Sequence, residues 1–353
     1  MFKEFSEVFV GKVEPLQNGP YNSTIKSLDY FKNYLKSIKK EKSDTIILKP
    51  NILPTEYLND GLPVTNPAVC AAAADFLKQI GFKRIILAEG TTSSSDLKPD
   101  TITGMKNNGF FEYEDKWEPV DLNKCETGAW FEIYSPGLPG NEFNIELGIA
   151  DIMLKYPIIS IAKFKTHDVL GLTLSVKNLM GAITEARYKS SGKVINELFR
   201  LKCFMHGYER KHPFQLGRQL NTTTSKTALA ININRLAKVI FPIFSILDAA
   251  PAMCGSGPLS GSCMDCNLIL ASNDSVSLDT IASEIAGVDH DYIQYIKNMG
   301  AIGLGNADLS RIKVVNAELE ILKNEIGPFK MHRIYKHSKF TEQEIDLLHN
   351  LTN

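Results

Sequence analysis

The sequence predicts an α/β protein, with mostly parallel sheets flanked by helices and arranged as two α/β lobes with a site between them. Three observations carry this. Short apolar runs such as DTIILKPN (44–51) and RIILAE (84–89) have the length and β-branched content of strands buried on both faces. A helical periodicity over Val64–Ile80 separates those two runs, and Gly81 closes it, so the three read as a parallel crossover unit. The same grammar returns in the second half, where IISIA (158–162), Ile243–Leu247 and Asn267–Ala271 alternate with helical stretches.

Taken in order, Asn66-Pro67 supplies a helix cap followed by a residue suited to the first helical position. From Trp117 to Glu146 the pattern loosens around Pro136, Gly137, Pro139 and Gly140, which indicates a loop or hairpin between the halves. Residues 1–125 are read as the first lobe, 126–310 as the second and 311–353 as a polar, helical extension. Within the second lobe a helix is expected near Leu174–Gly181, a long helical region over Val194–Leu220, and further helices at Ala228–Val239, Ser275–Ala286 and Glu342–Leu351.

The composition excludes several classes of function. With 39 Lys and Arg against 40 Asp and Glu, the net charge of -1 draws the chain neither to nucleic acid nor to an anionic membrane. No apolar run approaches the ~20 residues of a membrane-spanning helix, and Lys3, Glu4 and Glu7 interrupt the N-terminus as a signal peptide would not. Six irregularly spaced cysteines do not form a disulfide framework, and a reducing cytoplasm is the expected location.

The chemistry concentrates between Ile158 and Ile183. In IISIAKFKTHD a strand would place Lys163, Lys165 and His167 on one side, where three potential cations repel one another unless an anion holds them. That anion is either a ligand's carboxylate or phosphate or an acidic group of the protein. Lys177-Asn178 lies in an apolar stretch with Leu174, Leu179 and Met180, where a lysine needs a partner or a lowered pKa. Ligands of open parallel sheets gather beyond the carboxyl ends of the strands, and that is where Lys49, Asn51, Glu89 and the turn Thr91–Ser95 fall. Asp248, after the run IFSIL, is either a catalytic or ion-pairing acid or a turn cap before Pro251.

The loop CGSGPLSG (254–261), with Gly257 and Pro258, could bring backbone close to a ligand, although it is neither a Walker loop nor a dinucleotide fingerprint. Cys254, Cys263 and Cys266 have a spacing that zinc or an iron–sulfur cluster could use with a fourth ligand from Cys203 or His206. His206 and His212 lie in a basic stretch with Arg200, Lys202, Arg210 and Lys211, which reads as a solvated helix face from which His206 could reach the site as a base.

With LKPNIL, LAEG, AKFKTHDVLGLTLSVKNLMGAI, ILDAAPAMCGSGPLSG and ILASNDSVSLDTIASEIAG in this order, the chain resembles the DUF362 family over Asp44–Asp308. That group largely lacks assigned activities, and some of its members are fused to ferredoxin-like iron–sulfur modules. The resemblance points to Lys163, Lys165, His167, Lys177 and Asn178, with Lys49, Asn51, Asp248, Gly257, Pro258 and Asp279 as secondary members. The cysteine pattern of a two-cluster ferredoxin is absent, so the iron–sulfur association does not transfer.

The leading expectation is an enzyme of the isomerase, lyase or cyclase type acting on a small anionic metabolite. Lysines would bind the anion and stabilise an enolate or other oxyanion, each donor worth ~3 kcal/mol. His167 or His206 would be the base, and Asp248 its orienting partner or a second acid. One alternative is a metal or redox protein using Cys254, Cys263 and Cys266, with a ferredoxin-like protein or a second copy of the chain as partner. Another is a non-catalytic binder of an anionic cofactor.

Overall fold

The computed structural model describes residues 5–15, 18–53, 62–91, 100–137, 142–195, 204–207, 222–259, 261–331 and 339–353. The strands are β1 (Ser6–Lys12), β2 (Thr45–Pro50), β3 (Arg84–Glu89), β4 (Glu118–Asp121), β5 (Thr127–Ile133), β6 (Ile145–Ala150) and β7 (Ile158–His167). They continue with β8 (Gly171–Thr173), β9 (Ile183–Tyr188), β10 (Val194–Ile195), β11 (Phe244–Cys254), β12 (Ser262–Met264), β13 (Leu268–Ser272) and β14 (Ile312–Val315). The α-helices are α1 (Gly19–Tyr30), α2 (Lys32–Glu41), α3 (Pro67–Gln79), α4 (Thr101–Asn107), α5 (Ile152–Lys155) and α6 (Thr222–Val239). After them come α7 (Ser275–Ile285), α8 (Gln294–Ala301), α9 (Leu319–Ile326) and α10 (Glu342–Thr352).

Ten strands make one large sheet in the order β14-β1-β13-β11-β7-β2-β3-β4, with β12 added beside β11 and β8 beside β7. The run from β11 through β7, β2 and β3 to β4 is parallel, as the apolar strand pattern predicts. The boundary drawn at residue 125 separates the strands along the chain, but β2 and β7 are hydrogen-bonded neighbours. β1 likewise pairs with β13 and β14 from the other two stretches. A second, antiparallel sheet, β10-β9-β6-β5, includes the hairpin expected within Trp117–Glu146.

Alternation along the strands feeds two cores. Ile46, Leu48, Ile159, Ile161 and Ile246 pack with Leu28, Leu35 and Phe76 of α1, α2 and α3. Ile47, Ala162, Phe164 and Leu247 face Ile231, Leu278 and Ile296 of α6, α7 and α8, together with Leu147 and Ile149 of the second sheet. The large sheet is therefore covered on both sides, which excludes water from its central strands. All ten residues of β7 are buried, the two lysines and the histidine included.

Local choices agree with this plan. The Asn66 side chain caps α3 by accepting from Ala68 N, Pro67 occupies the first turn, and Gly81 takes a φ of 106° just past the helix end. Four expectations are corrected. Leu174–Gly181 is not an α-helix but the end of a turn and a 3-10 helix, Lys177–Ala182, and Asp279 accepts from the amides of Ser175 and Val176 that lead into it. Val194–Ile195, the start of the expected long helix, is strand β10, and most of the remainder to Leu220 lies outside the described residues. β11 runs to Cys254 and so passes Asp248 rather than ending on it. The N-terminal β1, with its alternating Val8, Phe9 and Val10, joins the sheet although no strand was read there.

Phe164 is fully buried in β7 and stacks on Phe329 with ring centroids 4.8 Å apart. Phe164→Ala is expected to cost about 3–5 kcal/mol, read as a lower denaturant midpoint at unchanged slope. A loss below about 1 kcal/mol would contradict its place at the centre of the packing.

Candidate functional site

The parallel strands β2, β3, β7 and β11 bring their carboxyl ends together, and four lysines meet there. Lys49, fully buried at the end of β2, donates to Glu89 Oε1 at 2.7 Å, to the carbonyl of Pro50 at 3.0 Å and to Asn178 Oδ1 at 3.5 Å. Glu89, at the end of β3, also accepts from Ile52 N at 3.1 Å and Gly90 N at 2.7 Å. Asn178 Nδ2 donates to the Lys49 carbonyl at 2.9 Å and to Ser160 Oγ at 3.2 Å, and Asn51 Nδ2 reaches Asn178 Oδ1 at 3.2 Å. A buried pair needs this many hydrogen bonds to offset the removal of its charges from water. Burial nevertheless pulls the Lys49 pKa below its ordinary value, while Glu89 opposes the shift.

Lys163 has its own carboxylate. Its Nζ lies 2.9 Å from Asp248 Oδ2, which also accepts from Asn66 N at 2.8 Å, while Oδ1 accepts from Ala250 N at 3.1 Å. Asp248 thus pairs with a cation and also caps the turn before Pro251. It also fastens the start of α3 to the sheet.

Lys165 and Lys177 differ. Among the described residues, neither has a carboxylate within ion-pair distance. Lys165 donates to the Pro63 carbonyl at 2.8 Å and is 2% exposed. Its pKa is driven well below the ordinary value, by burial first and then by the charges of Lys177 and Lys163. Lys177 is partly exposed, yet protein atoms surround its amine closely enough that burial lowers it to about 8, with Asp168 opposing.

The turn before Lys177 is held by Asp279 of α7, whose carboxylate accepts from Ser175 N at 2.9 Å, Ser175 Oγ at 2.5 Å and Val176 N at 3.1 Å. Burial outweighs these donors and pushes the Asp279 pKa up to about 7. A polar line therefore runs from Asp279 through Ser175 to Ser160, whose Oγ donates to the Ser175 carbonyl at 2.8 Å, and on to Asn178 and Lys49.

His167 Nδ1 accepts from the amides of Val169 at 3.1 Å and Leu170 at 3.2 Å, which puts the proton of the neutral ring on Nε2. The 3.2 Å contact between Nδ1 and Asp168 Oδ1 is then not an ion pair, since both atoms accept from Val169 N. In this tautomer the ring offers a donor at Nε2. The ring stacks on His206 at 6.2 Å between centroids, and His206 Nδ1 lies 3.3 Å from Ser225 Oγ. His206 thus lies beside His167, whereas His212, Cys203 and the basic residues expected around them lie outside the described residues.

The glycine loop makes its close approach to the protein itself. A Cβ on Gly257 would stand 1.9 Å from the Thr166 carbonyl oxygen, and Thr166 Oγ1 donates to the Gly255 carbonyl at 3.2 Å. Gly257 and Pro258 therefore brace the end of β7, and their role as ligand contacts is not needed to explain the glycine. Cys254 and Cys266 are buried and Cys263 is exposed, beside Asp265. Burial, with the neighbouring Cys254, raises the Cys266 thiol to about 12. Among the described residues, no group of three or more His, Cys, Asp or Glu is placed to hold a metal ion.

Gly181 was not singled out, although it closes the motif Lys177-Asn178-x-x-Gly. A Cβ there would stand 2.0 Å from Glu89 Oε1 and 2.6 Å from Lys49 Nζ, so the pair fills the space a side chain would take. A groove of about 550 Å³ lined by Phe5, Tyr30, Phe31 and Tyr34 lies elsewhere, and its charges Glu7 and Lys313 already pair at 3.5 Å.

Residues 46–284 match the family model described as "Domain of unknown function (DUF362)". The chain belongs to this family. The match spans β2 to α7 and so contains every residue of the lysine site. Among curated proteins, the "Thylakoid-associated protein sll1697" of Synechocystis sp. is 27% identical over 263 residues, which cover 74% of this chain and 68% of that protein. Among the described residues, no helix is long and apolar enough to cross a membrane.

Two outcomes are expected from the site's energetics. Gly181→Ala should cost about 1–3 kcal/mol by forcing Glu89 and Lys49 apart, measured by urea denaturation, and an unchanged midpoint would contradict the close approach. The second concerns Lys177, whose folded midpoint of about 8 lies below the ordinary 10.5. Between these values the unfolded chain binds more protons, so stability rises with pH through that window. The stability of the wild type relative to Lys177→Met should therefore increase from pH 8 toward pH 10.5; a flat difference would contradict the depressed amine.

Proposed function

We propose that this DUF362 protein is an enzyme that binds a small carboxylate or phosphate metabolite at Lys165 and Lys177 and transforms it by acid–base chemistry, as an isomerase, lyase or cyclase would. The observation that carries this is the unequal treatment of the four lysines. Lys49 and Lys163 are neutralised by Glu89 and Asp248, while among the described residues Lys165 and Lys177 have no carboxylate so placed. A fold that buries amines without counter-charges stores a capacity to take up a proton when an anion arrives. The bound anion would restore the charge of the amine set against it, and such a donor would stabilise an oxyanion or enolate forming on it. His167 would contribute as donor through Nε2, and His206 as the base once Ser225 accepts its Nδ1 proton. Asp248 supports from behind rather than acting as a second acid.

The non-catalytic binder shares the lysines and differs at the histidines. The cysteine alternative has no comparable support, because Cys263 stands apart in exposure from Cys254 and Cys266. A small-molecule role in the cytoplasm, without nucleic acid or membrane as partner, belongs to the same proposal. A ferredoxin-like protein or a second copy of the chain is the macromolecular partner considered. The thylakoid association is that of the Synechocystis protein alone.

The test is calorimetry with a panel of carboxylate and phosphate metabolites in buffers of different ionisation enthalpy at neutral pH. Binding is expected to take up protons and to be lost in Lys165→Met and Lys177→Met. Anion binding without proton uptake, or equal binding by both variants, would overturn the reading. His167→Ala retaining both binding and turnover would favour the plain binder.

A further inference from the structure

Of the four lysines, only Lys177 reaches solvent: Lys49, Lys163 and Lys165 are at most 2% exposed, whereas Lys177 is partly open. It is also the only one of the four for which no hydrogen bond or ion pair exists among the described residues. Its backbone, in contrast, is fixed. Asp279 accepts from the amides of the two residues before it, and Asn178 after it is bound to Lys49 and Ser160. An amine whose stem is held and whose tip is uncommitted is arranged as a reactant rather than as a structural cation.

We infer that Lys177 is an amine nucleophile that forms an imine with the carbonyl group of a 2-oxo acid, while Lys165 holds that acid's carboxylate. This rests on the anion-binding reading above and names its substrate class. The nitrogen lone pair forms a bond to the carbonyl carbon, the carbon–oxygen bond breaks, and the oxygen leaves as water with the two amine hydrogens. No oxidant or reductant is consumed, and hydrolysis of the imine returns the amine. The imine nitrogen, once protonated, draws electrons from the adjacent carbon, which is the assistance that isomerase and lyase chemistry at that carbon needs. Lys177 rather than Lys165 is the nucleophile, because of the two it is the more open to solvent and, among the described residues, leaves its amine without a hydrogen bond.

The state of the amine is consistent with this role. At pH 7.5 an amine with a midpoint of about 8 is about a quarter neutral, against about a thousandth for one at the ordinary 10.5.

The experiment incubates the full-length protein with glyoxylate, pyruvate or 2-oxoglutarate and cyanoborohydride at pH 7.5, then maps the reduced adduct by peptide mass spectrometry. Thermal stabilisation by each acid without reductant is measured in parallel. The expected result is an adduct at Lys177 exceeding that at any other lysine by at least about tenfold, absent in a folded Lys177→Arg protein that still binds the acid. Stabilisation without a Lys177 adduct, or labelling spread evenly over the lysines, overturns the imine and leaves anion binding standing. If the three acids neither stabilise nor label the protein while other carboxylates or phosphates bind, the 2-oxo acid class is wrong. If no anion binds, the underlying reading falls with it. Competitive acetylation of the unmodified protein needs no variant, and a Lys177 reactivity no greater than that of surface lysines would also overturn the proposal.

Discussion

The buried pair between Lys49 and Glu89 is the constraint on which the rest of the site depends. Two strands end at it, and Ile52, just past β2, is tied to it, since Ile52 N donates to Glu89. Asn178 is shared between Lys49 and Ser160, so the turn carrying Lys177 cannot move without disturbing the pair. Gly181 is fixed by the same contact, because the space of its missing side chain holds Glu89 Oε1 and Lys49 Nζ. Such a pair adds little to net stability, as desolvation consumes most of its attraction. Its effect is on arrangement: it fixes the turn that carries Lys177 beside the end of β7, where Lys165 and Lys177 have no ion-paired carboxylate among the described residues.

The second pair works on the other side of the strand. Lys163 and Lys165 share the face of Ile159 and Ile161, and Ser160 faces the opposite core with Ala162 and Phe164. Asp248 takes the charge of Lys163 and the amide of Asn66, which aligns the start of α3 with the end of β11. Lys165 therefore stands between a neutralised lysine and Lys177, near enough to Glu89 to feel it but, among the described residues, without a carboxylate at ion-pair distance. Energetically this is a deliberate deficit, stable only because the surrounding sheet and both cores hold it.

Much of this was legible in the chain. Strands buried on both faces announce themselves as runs of Ile, Leu and Val, and RIILAE coincides with β3 from end to end. The one-sided row of Lys163, Lys165 and His167 follows from the two-residue period of a strand, and β7 continues far enough to include all three. What could not be read is which acid meets which base. Lys49 and Glu89 are 40 positions apart and Lys163 and Asp248 are 85, so the partners depend on the order of strands in the sheet. The tautomer of His167 was hidden for a related reason, since it is set by two backbone amides in the turn after β7. The 3-10 form of Lys177–Ala182 was hidden because its apolar spacing suits an α-helix equally well. β1 was missed because a strand at a chain terminus has no flanking pattern to frame it.

The central claim is that two lysines at the carboxyl end of β7 have pKa values held below the ordinary one. It is tested most directly by a nuclear magnetic resonance titration of the protein carrying ¹³C at the lysine ε positions, with Lys165 and Lys177 assigned by substitution to Arg. The account predicts that both titrate apart from the surface lysines, Lys177 near pH 8 and Lys165 well below the ordinary range. A single titration near 10.5 that includes both residues would contradict it.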